Sequence, residues 1–254
     1  MQPSLSLAAG IVAVLALAPT VRWFGLRFQR LVYVVTQSQD AALYVYHFVL
    51  LPGTLLHELS HWLAAKIMGV RTGRLMLMPV RKGNVARFGS VQIGSSDPLR
   101  ESLIGAAPLA MGVLLSLVIA RWRFGWQAAV PASWAAALDL WRTLRAAPDA
   151  FLWLYLLLSI TNAMLPSESD RRSWRWVGAA LLVALLALQF LGLLGSLVIP
   201  VMPWLARTAN AIGFAALLAV TCDLLVGVFL MLVELGIGFV FGRWVDVALP
   251  RRCL

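Results

Sequence analysis

"LLPGTLLHELSHWLAAK", residues Leu50 to Lys66, sets two histidines and a glutamate inside an apolar run with no other ionisable group before its closing lysine. His57-Glu58-Leu59-Ser60-His61 is an H-E-x-x-H pattern. On an α-helix, positions i and i+4 share a face, so both imidazoles can reach one Zn2+ at ~2.0 to 2.1 Å while the glutamate beside the first reaches a water at the metal. The spacing therefore predicts a helix whose single turn supplies two ligands, His57 and His61, and a general base, Glu58. With zinc lowering the pKa of water toward about 7, Glu58 takes the proton as the water attacks a carbonyl. The competing reading is a hydrogen-bonded His/Glu cluster that packs helices.

The surrounding composition decides the solvent. The chain has 254 residues, 61% hydrophobic and 13% charged, with a mean hydropathy of +0.84, which lies well outside the range of soluble domains. Uncharged segments run from Ser4 to Val21, Ala41 to His57, Ser102 to Ala120, Ala150 to Ser167 and Trp176 to Ala206; a sixth, Thr208 to Gly242, is interrupted only by Asp223 and Glu234. Crossing a hydrocarbon core of about 30 Å takes roughly 20 helical residues. The expectation is an all-α polytopic membrane protein of about six transmembrane helices, forming a single membrane domain over residues 1–254. Pro200 and Pro203 are expected to end the fifth span. Residues Met1 to Thr20 carry no Lys or Arg, so they read as a retained first helix rather than a cleaved signal peptide. At bilayer depth an unpaired ionisable group costs at least ~2.5 to 3.5 kcal/mol, which favours metal binding over an incidental histidine cluster.

Between the second and third spans, "GRLMLMPVRKGNVARFGSVQIGSSD", Gly73 to Asp97, flanks the turn signal Arg81-Lys82-Gly83-Asn84 with short β-branched segments and predicts a small membrane-surface β-hairpin. The gap from Arg121 to Asp149 is either an amphipathic surface segment or a plain loop. A net charge of +10 comes from 19 arginines and two lysines scattered between apolar runs. That is loop charge beside membrane helices, without the basic stripe or interleaved aromatics of a nucleic-acid surface, so no nucleic-acid partner is expected. Cys222 and Cys253 have no metal-knuckle or disulfide spacing, and Cys253 reads as a plain thiol.

A third metal ligand has to come from outside the motif. His47 is ten residues before His57, some eighty degrees off its helical face, with Pro52 and Gly53 intervening, and reads as a packing or interfacial histidine. "SITNAMLPSESDRRSW", Ser159 to Trp174, offers Glu168 and Asp170 after the fourth span, where Asn162 and Pro166 suggest that regular helix is lost. A carboxylate is an acceptable zinc ligand.

Three segments together resemble the site-2 protease family of intramembrane zinc metalloproteases: His57-Glu58-Leu59-Ser60-His61, then Gly105-Ala106-Ala107-Pro108-Leu109-Ala110 early in the next span, then Asn162 followed by Pro166 and Asp170. The resemblance covers roughly Leu50 to Trp174. It implies His57, His61 and Asp170 as Zn2+ ligands and Glu58 as base, with a catalytic core over 41–174 and additional transmembrane helices over 175–254. It implies transmembrane proteins as substrates, held as an added strand on the hairpin, since a peptide bond must leave its helix before it can be cleaved. The apolar runs and the chain's compactness lead us to expect a multi-pass protein of a prokaryotic cell membrane, and the family orientation implies that the hairpin loop (70–100), the Asp170 loop and the C-terminus are in the cytosol. With Lys66 near that face, those regions hold 13 of the 21 basic residues, a mild positive-inside bias that leaves Arg22, Arg27 and Arg30 on the wrong side if Ser4 to Val21 spans fully. Three departures from the family pattern stand out: Met111 where an asparagine is usual, a proline one place late in the third motif, and Arg171 where glycine follows the aspartate.

Asn162 reads either as a donor to the substrate backbone or developing oxyanion, or as a helix-packing residue. Asp223 and Glu234 are eleven residues apart, within about 20° of one helical face. That pattern supports an alternative, an ion-coupled or metal transporter. The departures favour another, an inactive protease fold that binds membrane partners. Oligomeric state stays open.

Overall fold

The computed structural model describes residues 3–76, 80–82, 85–87, 90–126 and 134–241. Among these residues, eight helices and four short strands follow one another in the order α1 (Pro3–Thr36), α2 (Gln39–Val49), α3 (Leu51–Ile67), β1 (Thr72–Met76), β2 (Val80–Lys82), β3 (Val85–Arg87), β4 (Ser90–Ile93), α4 (Pro98–Phe124), α5 (Trp134–Ala146), α6 (Ala150–Ala163), α7 (Trp174–Phe190) and α8 (Leu194–Phe241). Three stretches are long and apolar enough to cross a membrane: Ala8–Thr36, Pro98–Phe124 and Val198–Val240. The described chain is thus predominantly helical, as expected, with three helices of that length and two shorter apolar ones, Ala150–Ala163 and Trp174–Phe190.

The remaining expected spans differ for local reasons. The second divides at Leu50, where φ −94° and ψ 9° leave the helical range. Pro52 then sits in the first turn of α3, where its missing N–H has no intrahelical partner to lose. The fourth is α6, 14 residues long and so about 21 Å. The fifth ends not at Pro200 or Pro203 but at Gly192, which adopts φ +69° and lets the Leu193 amide reach the Leu188 carbonyl at 2.9 Å. A left-handed glycine satisfies terminal carbonyls at little cost, and the two prolines lie inside the 48-residue α8. The first extends to Thr36 and carries Arg22, Arg27 and Arg30 on the helix itself.

α1 lies along α8, with Ala13, Leu17 and Val21 packed against Ala215, Ala216 and Ala219. A Cβ on Gly213 would meet the Gly10 backbone at 2.8 Å, so the two backbones approach closely. Farther along, Arg27 and Arg30 of α1 grip Glu234 of α8 at 3.1 and 3.3 Å, which accounts for two of the three arginines that charge counting could not place. Short as it is, α6 is central: Leu157, Leu158, Ser159, Ile160 and Thr161 are all buried. Its crossing with α3 is tightest at Gly53, whose amide donates to Ser159 Oγ at 2.8 Å and where a Cβ would fall 1.9 Å from the Ser159 carbonyl oxygen. The segment after α4 does form a helix, α5, with its polar residues Asp139 and Arg142 exposed and paired.

The strands form two antiparallel ladders. β1 pairs with β4 through Thr72↔Ile93, Leu75↔Val91 and Met76↔Ser90, with an extra residue in β1 between the first two pairs. β2 pairs with β3 through Val80↔Arg87, Arg81↔Ala86 and Lys82↔Val85. The register closes on 83–84, so the expected hairpin is present although Gly83 and Asn84 themselves lie outside the described residues, as does Cys253. β4 then leads to Asp97, whose Oδ1 caps α4 by accepting from the Arg100 amide at 3.0 Å. That bond holds the Asp97 carboxyl below the usual carboxylate range.

Candidate metal centre

α3 presents His57 and His61 on one face, as i,i+4 spacing requires. Their rings meet edge-on, 4.8 Å between centroids at 81°, and their Nε2 atoms lie 3.1 Å apart. Each Nδ1–H donates to a backbone carbonyl, His57 to Ala163 at 2.6 Å and His61 to Ile104 at 2.9 Å. With the Nδ1 protons so engaged, both Nε2 lone pairs face one another, and facing lone pairs need a cation or proton between them.

Both carbonyls are available because the helices that own them forgo a bond. In a regular helix the Ile104 carbonyl accepts from residue 108, but residue 108 is Pro108, buried inside α4, with no N–H to offer. The Ala163 carbonyl closes α6, and the amide four residues on, that of Ser167, donates instead to Asp170 Oδ2 at 2.7 Å.

Asp170 completes the cluster from the loop after α6. Its Oδ1 is 3.3 Å from His61 Nε2 and its Oδ2 3.8 Å from His57 Nε2. The Ser167 hydroxyl also donates to Oδ2, at 2.7 Å. Burial pushes this carboxyl up, but bonds from His61 and from the Ser167 hydroxyl and amide outweigh it and bring it down to about 2. Asp170 is therefore an anion at neutral pH. Gly105 of α4 supports it from below: a Cβ there would lie 2.1 Å from the Asp170 carbonyl oxygen. The glycine and the proline of the second motif thus each serve one ligand.

The donor set could hold a metal ion. Two ligands ~2.0 to 2.1 Å from a tetrahedral ion lie about 3.3 Å apart, beside separations of 3.1 and 3.3 Å around His61 and 3.8 Å between His57 and Asp170. Among the described residues, His57, His61 and Asp170 are the His, Cys, Asp or Glu group close enough to share an ion. Glu58 is buried beside them and accepts a hydrogen bond from the Val91 backbone of β4. The cluster opens into a cleft of about 1290 Å³ whose walls include Val91, Ile93, Glu101, Arg172 and Trp176. Glu101 also accepts from Ser173 Oγ, which ties the start of α7 to α4.

No family model, curated protein or solved structure matches this chain. What the site can do is argued from its own geometry.

The structure brings four of the five expected site residues together and separates the fifth. Asn162 does not line the cleft: its Nδ2 donates to the Leu158 carbonyl at 2.9 Å and to Asp223 Oδ1 at 2.6 Å, the contacts of the helix-packing alternative. Asp223 and Glu234 have separate partners, Asn162 for one and Arg27 with Arg30 for the other. His47 is buried in α2, away from the cleft. Glu168 lines the cleft but falls outside the converging group. Of the departures, Arg171 folds back on its own loop, its Nε donating to the Ser167 carbonyl at 3.4 Å, and neither it nor Met111 walls the cleft. The contributions of Pro108, Gly105, Ser167 and the Val91 amide were not expected. For Pro108 the signal was legible: a proline inside an apolar helix leaves one carbonyl in need of a donor.

Proposed function

We propose that this protein is an intramembrane zinc metalloprotease of site-2 protease type, hydrolysing peptide bonds in or near transmembrane segments of other membrane proteins. The observation that carries the reading is the convergence of His57, His61 and Asp170, with both imidazoles held by carbonyls and Glu58 beside them at a cleft. Zinc, when bound there, supplies Lewis acidity and lowers the pKa of water toward about 7. Glu58 then takes the proton of the attacking water and passes it to the leaving amine. Val91 and Ile93 of β4 wall the same cleft, which suits a substrate that enters as an extended strand and replaces its lost helical bonds along β4. In the proposed orientation the hairpin and the Asp170 loop face the cytosol of a prokaryotic cell.

The test is metal content of the full chain purified in detergent, beside His57→Ala and Asp170→Ala, followed by cleavage of candidate transmembrane substrates with Glu58→Gln as the inactive control. About one zinc per chain, lost in both ligand variants, with cleavage abolished but zinc retained in Glu58→Gln, supports the reading. A wild type that takes up no zinc in the absence of chelators refutes it. Asp223 and Glu234 are each engaged by a different helix, so the structure offers the transporter alternative no specific support.

A further inference from the structure

Asp223 sits within α8 with no exposed surface. Its Oδ1 accepts a 2.6 Å bond from Asn162 Nδ2, and the same nitrogen donates to the Leu158 carbonyl at 2.9 Å, so both amide protons are committed. Among the described residues two buried oxygens of this pair then lack a donor, Asp223 Oδ2 and Asn162 Oδ1. A buried acceptor without a donor is costly, and a bare carboxylate at bilayer depth more so. One proton resolves both deficits. Carried on Asp223 Oδ2, it is offered to Asn162 Oδ1 while Oδ1 of the acid goes on accepting from Nδ2, closing an acid–amide ring of two hydrogen bonds.

The ring falls where α6 is weakest. The Asn162 carbonyl would accept from residue 166 in a continuing helix, but Pro166 has no N–H, and the next residue, Ala163, supplies the carbonyl that orients His57. The last turn, though helical to Ala163, thus has no following turn to bond to, and the bond from Asn162 to Asp223 ties it to the neighbouring helix instead.

We propose that Asp223 is held as a neutral carboxylic acid in a two-bond ring with Asn162, and that through this ring α8 acts as a positioning element for His57. The consequence for the metal rests on the metalloprotease reading; the ring itself does not.

The test uses the full chain in detergent and two readouts. Infrared difference spectra report the carbonyl stretch of a protonated carboxylic acid, a band that ionised carboxylates lack. It is expected in the wild type, absent in Asp223→Asn, and moved to higher frequency in Asn162→Val, where the acid loses its hydrogen-bonded partner. Zinc affinity is measured by competition with a chelator. Asp223→Asn can rebuild the ring, accepting on Oδ1 and donating from Nδ2, so its affinity is expected within about twofold of wild type. Asp223→Leu cannot, and its affinity is expected to fall about tenfold, the lower end of losses seen when a ligand's outer partner is removed. Should Asp223→Leu not fold, Asn162→Val serves for the affinity comparison. A wild type without the acid band overturns the neutral ring. Affinity that drops equally in Asp223→Asn and Asp223→Leu, or in neither, overturns the positioning role. Failure of the metalloprotease reading would look different: the acid band present, with no zinc bound by any variant.

Discussion

Gly105→Ala isolates the support beneath Asp170. The added methyl would lie 2.1 Å from the Asp170 carbonyl oxygen and 3.0 Å from its carbonyl carbon. Carbon and oxygen come into ordinary contact at ~3.3 Å, so the loop has to retreat by about 1 Å, because α4 is held from both sides and both neighbours are backbone atoms with no rotamer to change. Asp170 Oδ1 lies 3.3 Å from His61 Nε2, a spacing that suits a shared ion, and metal–ligand distances tolerate only about ±0.2 Å. A retreat five times that tolerance removes the third ligand. Zinc affinity is therefore expected to fall by about 100-fold, approaching that of Asp170→Ala. The helix itself is expected to gain, since Ala is favoured over Gly in a helix interior by about 1 kcal/mol, so thermal stability of the metal-free protein should hold or rise while metal binding collapses. The assay is chelator competition for zinc beside thermal unfolding in the same detergent. A variant that binds zinc as tightly as wild type would refute the claim that Gly105 sets the position of Asp170.

Pro108→Ala restores an N–H that competes for the Ile104 carbonyl; zinc affinity is expected to drop about tenfold, and an unchanged affinity in a folded variant would show that the carbonyl serves both donors through its two lone pairs. Ser167→Ala removes one of the two bonds from Ser167 to Asp170 Oδ2 while its amide keeps the other. A loss of about threefold to tenfold in zinc affinity is expected, and a loss as large as that of Asp170→Ala would mean that the hydroxyl, not the carboxylate, is the critical group. Glu234→Ala leaves Arg27 and Arg30 without their shared carboxylate; breaking a buried pair costs about 3 to 5 kcal/mol, and the low end applies because the arginine side chains are 26% and 31% exposed. A lowered Tm in detergent, with zinc affinity retained, is the expected result; an unchanged Tm would show that the clasp does not hold α1 to α8.

The converging group was legible because its chemistry is local. His57, Glu58 and His61 belong to one helical turn, and a carboxylate shortly after an apolar run with Asn162 and Pro166 near its end narrowed the third ligand to Glu168 or Asp170. What escaped depends on pairs distant in sequence. No pattern within α8 says that Asp223 meets Asn162, 61 residues away, or that Glu234 meets Arg27, 207 residues away. A shared helical face made the two acids look like one pathway, whereas different neighbouring helices claim them. The span boundaries were less legible for a different reason: uncharged length locates apolar chain, but Leu50 and Gly192 break it by backbone conformation, which hydropathy does not register.

The two imidazoles also show why such a site suits a membrane. A carbonyl released from its helical bond at bilayer depth must find another donor or bear the cost of burial. An imidazole that ligates through Nε2 has an Nδ1–H that must find an acceptor. α4 releases the Ile104 carbonyl by placing Pro108 four residues on, and α6 releases the Ala163 carbonyl because Asp170 has taken the Ser167 amide. Each deficit answers the other. It follows that the third ligand and the orientation of the first are coupled: when Asp170 draws in the Ser167 amide, it clears the carbonyl that His57 needs. Loss of Asp170 should then disturb His57 as well as remove one bond to the metal, so the combined variant His57→Ala/Asp170→Ala is expected to lose less zinc affinity than the sum of the two single losses. Strict additivity would show that the two ligands are held independently.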